Sequence, residues 1–145
     1  VLGVFLSGTP VLAQSFGSIP DSVSCRAPHA YLGFIVPVVE TQGFSQHWAH
    51  ATYLPDGTPV IVYGPTYFGL PGYMRRFTSA HECGHLAIPT RSDYEANCFA
   101  LTNLNLPRSD VDAIGEFHAA LGPLPFQYGG SGVAFWARTQ DLGPQ

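Results

Sequence analysis

The sequence predicts one α+β domain, in which a short antiparallel sheet packs on a layer of helices. The chain has 145 residues, of which 46% are hydrophobic and only 11% are charged, and this suits a single compact core. The β-branched run 58–63 favours a strand. The run that starts after Pro71 has apolar residues at helical spacing and stops at Pro89, which favours a helix.

The first 13 residues have the character of a targeting segment. They resemble the apolar part of a secretory signal, and Val11 and Ala13 satisfy the small-residue rule for cleavage before Gln14. Glycine and proline interrupt this run, which is also too short to span a membrane. We therefore expect residues 1–13 to be a signal-peptide remnant, residues 14–145 to form the domain, and the protein to be secreted or periplasmic.

Two more strand regions are predicted before the β-branched run. Residues 30–39 form one of them, and residues 48–54 form its neighbour. A hairpin over residues 51–63 then leads into the first long helix. Pro59 suits an edge strand or the start of a strand better than a central position, so residues 58–63 form either an exposed edge strand or an ordinary strand of the sheet.

Three more helices are predicted after the first. Ser92 or Asp93 can cap a helix that continues to residue 101. Ser109 can cap a helix over residues 110–121, whose apolar stripe predicts packing on the other helices. A short last helix is predicted over residues 133–139.

The first long helix contains the most informative motif, because His81, Glu82 and His85 form an H-E-x-x-H element. Four residues apart on a helix, the two histidines project from one face and can bind one zinc ion. Glu82 then lies where its carboxylate can take a proton from a zinc-activated water and pass it to a leaving amine. The second half of this helix is apolar nearly all round and therefore buried, which makes two unpaired histidines costly. The motif predicts a zinc-dependent hydrolase.

A catalytic zinc ion needs a third protein ligand. The extended H-E-x-x-H-x-x-G-x-x-H pattern is excluded, because Ile88 and Arg91 stand where it requires glycine and histidine. Glu95, on the next helix, is the ligand we expect. Asp93 points about 160° away from Glu95 around that helix, so only one of the two can face the metal. His118 is better explained as a partly exposed helix residue, and the remaining alternatives are His47 and His50.

The motif and the segment from Tyr94 to Ala100 resemble the minimal gluzincins. In those proteins an H-E-x-x-H helix is completed by an E-x-x-A or E-A-(D/N) segment on the next helix, a layout shared by ImmA/IrrE-like and HtpX-like metallopeptidases. The resemblance covers residues 48–104 and implies a zincin-like fold. The ligands it implies are His81, His85 and Glu95, with Glu82 as the general base.

The resemblance also implies hydrolysis of peptide bonds in a peptide or protein substrate. An exposed edge strand beside the zinc helix would pair with the extended substrate backbone. For the developing oxyanion, the C-terminal part offers Tyr128 and Arg138, and Tyr128 is better explained as a residue of a glycine-rich turn. The alternative from a different class is an exported zincin-like domain that binds a partner without turnover, or a structural zinc domain.

The three cysteines fit an oxidising compartment. We expect a bridge between Cys83 and Cys98, which would hold the two ligand helices together. A bridge from Cys25 to either of them and buried thiols are the alternatives. Cys83 lies about 160° from His81 around the helix, so we do not expect cysteine as a zinc ligand.

Charge argues against nucleic acid as a partner. The net charge is −4, and the six basic residues are scattered arginines apart from the pair Arg75 and Arg76. There is no stripe of alternating basic and aromatic residues of the kind that binds phosphates and bases.

Overall fold

The computed structural model of the chain describes residues 19–142. The predicted signal-peptide remnant, residues 1–13, lies outside the described residues. Within residues 19–142 the chain folds into four α-helices and two small sheets, which confirms the α+β class. None of the helices in this described range is long and apolar enough to cross a bilayer.

Five short strands form the two sheets. The strands β1 (Arg26–Pro28) and β2 (Ile35–Pro37) make an antiparallel pair. The other three are β3 (Val39–Gln42), β4 (Ala49–Tyr53) and β5 (Pro59–Tyr63), in the order β3-β5-β4. Because β5 runs parallel to β3 and antiparallel to β4, the larger sheet is mixed and not wholly antiparallel as predicted.

Of the two positions predicted for Pro59, the edge strand is wrong, because β5 is the central strand, and the strand start is confirmed. Pro59 is the first residue of β5, and pairing with β3 begins only at Val60. A residue without a backbone N–H is therefore tolerated at this position, although the strand is central. The edge strand on the side of the helices is β4.

Four helices follow the sheet strands: α1 (Gly72–Ala87), α2 (Asp93–Leu104), α3 (Arg108–Ala120) and α4 (Gly132–Leu142). The Ser92 side chain accepts a hydrogen bond from the Glu95 amide, which confirms Ser92 as the cap of α2. Ser109 does not cap α3, because that helix already begins at Arg108 after Pro107. The last helix starts one residue earlier and ends three residues later than predicted.

The core fixes α1 against the larger sheet. Tyr63 of β5 and Tyr67 of the following 3₁₀ turn are fully buried, together with Ile61 and Met74. The Tyr63 hydroxyl lies 2.9 Å from Ser79 Oγ, so the polar tip of this core ring is hydrogen-bonded to α1. Each fully buried Ile, Met or Tyr contributes about 1.5–3 kcal/mol. The position of α1 is therefore set by the sheet beneath it.

A disulfide holds the face of α1 that is turned away from the histidines. It joins Cys25, just before β1, to Cys83. The expected Cys83–Cys98 bridge is thus wrong, because Cys83 faces β1 while Cys98 is buried in α2 outside the bridge. The α2 side of α1 has Gly84 instead, where a Cβ would lie only 3.1 Å from the Ala96 Cα. This glycine allows the two helices to approach closely.

Candidate metal centre

Three side-chain donors converge where α1 meets the start of α2. His81 Nε2 lies 3.1 Å from His85 Nε2, and Asp93 Oδ1 lies 3.2 Å from the first and 3.1 Å from the second. Four-residue spacing places both imidazoles on one face of α1, and the first residue of α2 brings the carboxylate. These three residues could hold a metal ion.

The tautomer of His81 follows from a chain of hydrogen bonds that ends on α4. The carbonyl of Phe135 can only accept, so the Thr139 hydroxyl donates to it, at 3.1 Å. Thr139 Oγ1 then accepts from Asn97 Nδ2, at 2.9 Å, which turns the Asn97 carbonyl oxygen toward His81. His81 Nδ1 donates to that oxygen, at 2.6 Å. A neutral His81 therefore presents an unprotonated Nε2 to the centre.

His85 is oriented in the same way by a different acceptor. Its Nδ1 donates to the backbone carbonyl of Thr90, at 2.8 Å, so the neutral ring of His85 also has an unprotonated Nε2, which faces Asp93. Metal-ligating histidines almost always have their outer nitrogen bound in this manner, which fixes the ring and raises its basicity. Both rings have the partners that a metal ligand requires.

Three acceptors in contact repel one another unless a metal ion or a proton lies between them. Burial alone would raise the pKa of Asp93, but the hydrogen bonds that protonated imidazoles of His81 and His85 donate to it outweigh burial and hold that pKa well below its usual range. Burial would lower the pKa of His85, yet the hydrogen bonds to Asp93 and Thr90 raise it. The lowered pKa of Asp93 and the raised pKa of His85 have the same cause: the space between these groups favours a positive charge.

The spacing of the three donors matches a tetrahedral ion. Zinc binds histidine nitrogen and carboxylate oxygen at about 2.0–2.1 Å, which places neighbouring ligands about 3.3 Å apart. The observed separations of 3.1–3.2 Å are within a few tenths of an ångström of that value. The three donors occupy one face of such a tetrahedron and leave one position open, as in catalytic zinc sites.

Glu95, the expected third ligand, is not part of this group. Its side chain is exposed and accepts a hydrogen bond from the Thr90 hydroxyl, at 2.5 Å. The physical reason is rotation around α2, since Asp93 and Glu95 point in nearly opposite directions. Asp93 and Asn97 are four residues apart and share one face, and that face meets the histidines. This spacing is the sequence signal that could have selected Asp93.

Glu82 lies beside the three donors, as the motif predicts. Its Oε1 is 3.9 Å from His81 Nε2, and only 8% of the residue is exposed. Burial raises the pKa of Glu82 above its ordinary value, while the two histidines and the backbone amide of Ala51 act in the opposite direction. A carboxylate with a raised pKa, next to an open coordination position, is suited to accept a proton.

The centre opens into a cleft of about 930 Å³ between β4 and the C-terminal helices. In the β4–β5 ladder, Gly64 N donates to Trp48 O and Leu54 N donates to Thr58 O. Hydrogen-bonded pairs alternate along an antiparallel ladder, so the peptide groups of Ala51 and Tyr53 point away from β5. Within residues 19–142 no other strand pairs with this outer edge of β4.

The other residues considered from the sequence occupy different places. His118 is buried and not partly exposed as predicted, because its ring stacks on Trp136 with centroids 5.1 Å apart. Three of the considered residues line the cleft without joining the three donors: His47, His50 and Tyr128. Arg138 lies over the Tyr94 ring, 5.7 Å from its centroid, and does not line the cleft.

The sequence interpretation missed Asn97 and the Thr90 carbonyl, both of which bind a histidine. Asn97 could have been noticed in the sequence, because it lies four residues after Asp93 and therefore on the same face of the helix. A buried amide on that face needs a polar partner. The Thr90 carbonyl carries none, because a backbone group is present at every position. Comparison with protein-family models, with curated proteins and with solved structures gives no match for this chain.

Proposed function

We propose that the protein is a zinc-dependent peptidase with a zincin-like fold, in which His81, His85 and Asp93 hold the metal. The observation that carries this proposal is the convergence of two oriented imidazoles and one carboxylate within 3.2 Å of one another. Asp93 takes the place that the resemblance to gluzincins gives to Glu95. The general base remains Glu82.

The donor set favours zinc over the harder cations. Two imidazole nitrogens with one carboxylate oxygen suit zinc, whereas magnesium and calcium prefer sites made of oxygen ligands. When bound, zinc would polarise the scissile carbonyl and lower the pKa of the attacking water. His81 and His85 would bind the metal through Nε2, because their Nδ1 protons are donated to Asn97 and Thr90.

Glu82 supplies the proton transfer. The carboxylate takes one proton from the attacking water and then gives it to the leaving amine, so that the water's oxygen joins the carbonyl carbon and the C–N bond breaks. Its burial and raised pKa make it a stronger base than an exposed glutamate. Removing a general base of this kind lowers a rate about 10²–10⁴-fold.

The substrate that fits this cleft is an extended peptide. The peptide groups of Ala51 and Tyr53 that point away from β5 lie on the wall of the cleft, where the Ala51 N–H donates to Glu82, and the Tyr53 peptide group is the one placed to pair with an added strand. Strand addition of this kind uses backbone hydrogen bonds for affinity and side-chain pockets for specificity. The pairing strand is β4, and not β5 as expected from the sequence.

The compartment that suits this chain is an oxidising one. The Cys25–Cys83 bridge joins two positions on separate elements, and such bridges persist in secreted and periplasmic proteins. Together with the secretory-like residues 1–13, this bridge supports export as part of the proposal.

The test compares wild type with Glu82→Gln, purified with the disulfide intact. We expect about one zinc ion per chain in both proteins, cleavage of unfolded casein or a peptide library by wild type, and loss of cleavage in the variant. Zinc in both proteins with no cleavage by either would reject the peptidase and favour a binding or structural zinc domain. No zinc in wild type after refolding with the metal would reject the metal centre itself.

A further inference from the structure

One end of the cleft is lined by aromatic and aliphatic side chains that take no part in the proposed chemistry. These residues, called the aromatic compartment below, are Phe77, His118, Leu121, Leu124, Tyr128 and Phe135. They come from α1, from α3 and the segment after it, and from α4. Elements distant in the sequence thus meet to form one apolar wall.

The aromatic compartment begins directly beside the metal centre. The Phe77 ring lies 6.5 Å from the His81 ring and 5.8 Å from the His118 ring, between centroids. His118 in turn lies 5.5 Å from Phe135. Tyr128 meets Phe135 at 5.6 Å, edge to face. A continuous row of rings therefore leads away from the metal ligand His81 along the cleft.

Charge separates the two ends of the cleft. Among the described residues of the aromatic compartment, none is Asp, Glu, Lys or Arg. His118 donates its Nδ1 proton to the Ile114 carbonyl, at 2.8 Å, and burial lowers its pKa, so it is neutral near pH 7. The charged residues Arg91 and Asp93 also line the cleft, and Asp93 lies against His85, away from the aromatic compartment. An apolar group is favoured at one end only.

We propose that the aromatic compartment is the subsite for one bulky apolar side chain of the substrate, next to the bond that is cleaved. This inference rests on the proposed peptidase function and names its substrate class: peptides with Phe, Tyr, Leu or Met at that position. Burial of one such side chain favours it over alanine by about 10- to 100-fold in affinity or in kcat/KM.

The test measures peptide binding separately from cleavage. Zinc-loaded Glu82→Gln is titrated with blocked pentapeptides that have Phe, Leu, Ala, Lys or Glu at the central position and alanine elsewhere. We expect Phe and Leu to bind about 10- to 100-fold more tightly than the other three. This preference supports the subsite even if wild type cleaves none of the peptides, in which case only the peptidase proposal fails. Equal affinity for all five overturns the subsite, whether or not wild type is active.

Two variants locate the effect in the aromatic compartment. Leu121→Arg places a charge on its rim, at a position that is 36% exposed and should tolerate the change. Val133→Arg is the matched control, because Val133 is 60% exposed and does not line the cleft. We expect Leu121→Arg to abolish the preference for Phe and to favour Glu, while Val133→Arg behaves as the parent. Retained Phe preference in Leu121→Arg, with the metal content unchanged, overturns the assignment.

Discussion

Replacement of Asp93 by asparagine should remove most of the affinity for zinc. The carboxylate supplies one of three donors and the only negative charge among them, at 3.1 and 3.2 Å from the two imidazole nitrogens. Removing even a hydrogen-bond partner of a metal ligand costs 10- to 100-fold in affinity. Loss of a direct ligand should therefore cost at least about 100-fold, which is about 2.7 kcal/mol.

Glu95→Gln is the matched control, because Glu95 is acidic, lies in the first turn of the same helix and was the ligand expected from the sequence. Its carboxylate is exposed and accepts a hydrogen bond from the Thr90 hydroxyl. One such hydrogen bond is worth about 0.5–1.5 kcal/mol, so the zinc affinity should fall by less than about 10-fold. If Asp93 is the ligand, zinc affinity falls strongly in Asp93→Asn and little in Glu95→Gln; if Glu95 is the ligand, the order is reversed.

The assay is competition for zinc between the protein and a coloured chelator at pH 7.5, with circular dichroism to confirm that each metal-free variant is folded. The reasoning predicts a large loss for Asp93→Asn and a small one for Glu95→Gln. The reverse order would mean that α2 rotates to present Glu95 when the metal binds. In that case the triangle of donors described above would not be the zinc site.

Three further results are expected. Asn97→Leu removes the acceptor of the His81 Nδ1 proton and should weaken zinc binding about 10- to 100-fold in the same competition assay, and an unchanged affinity would exclude this orienting role. Reduction of the Cys25–Cys83 bridge opens a loop with a sequence separation of 58 and should lower the free energy of unfolding in urea by about 4 kcal/mol, whereas a loss below about 1 kcal/mol would contradict it. His118 has a lowered pKa, so the unfolded chain takes up its proton first as the pH falls through the ordinary value of 6.5. Stability from this group should be complete above that pH and decline below it, and His118→Asn should flatten this part of the pH profile in thermal melts.

Local sequence patterns predicted the helices, and they predicted that the two histidines of the H-E-x-x-H motif lie together. The H-E-x-x-H spacing is a property of one helix, so His81 and His85 meet wherever that helix forms. Proline and glycine near the ends of α1 marked its limits to within a residue or two. Ser92 was recognisable as the cap of α2 because a serine just before a helix can accept a hydrogen bond from a backbone N–H of the first turn.

Non-local pairing was not predictable in the same way. Whether β5 lies at the edge or in the centre depends on β3, which approaches it from another part of the chain. The partner of Cys83 depends on which element packs behind α1, and that element is β1. Burial of His118 requires Trp136, eighteen residues later on α4, so no local pattern could reveal it.

The donors of the metal centre and the acceptors that orient its histidines all come from one short stretch of chain. His81 and Asn97 are its ends, and His85, Thr90 and Asp93 lie between them. Closing so short a loop costs little entropy, and outside this stretch the donors depend mainly on Thr139, which orients Asn97, and on the sheet that supports α1. Much of the cleft wall, by contrast, belongs to β4, α3 and α4. Mutations in those elements can therefore change substrate preference without changing the metal-binding residues 81–97. The residues for the proposed chemistry and most of those for substrate selection lie in different parts of the sequence.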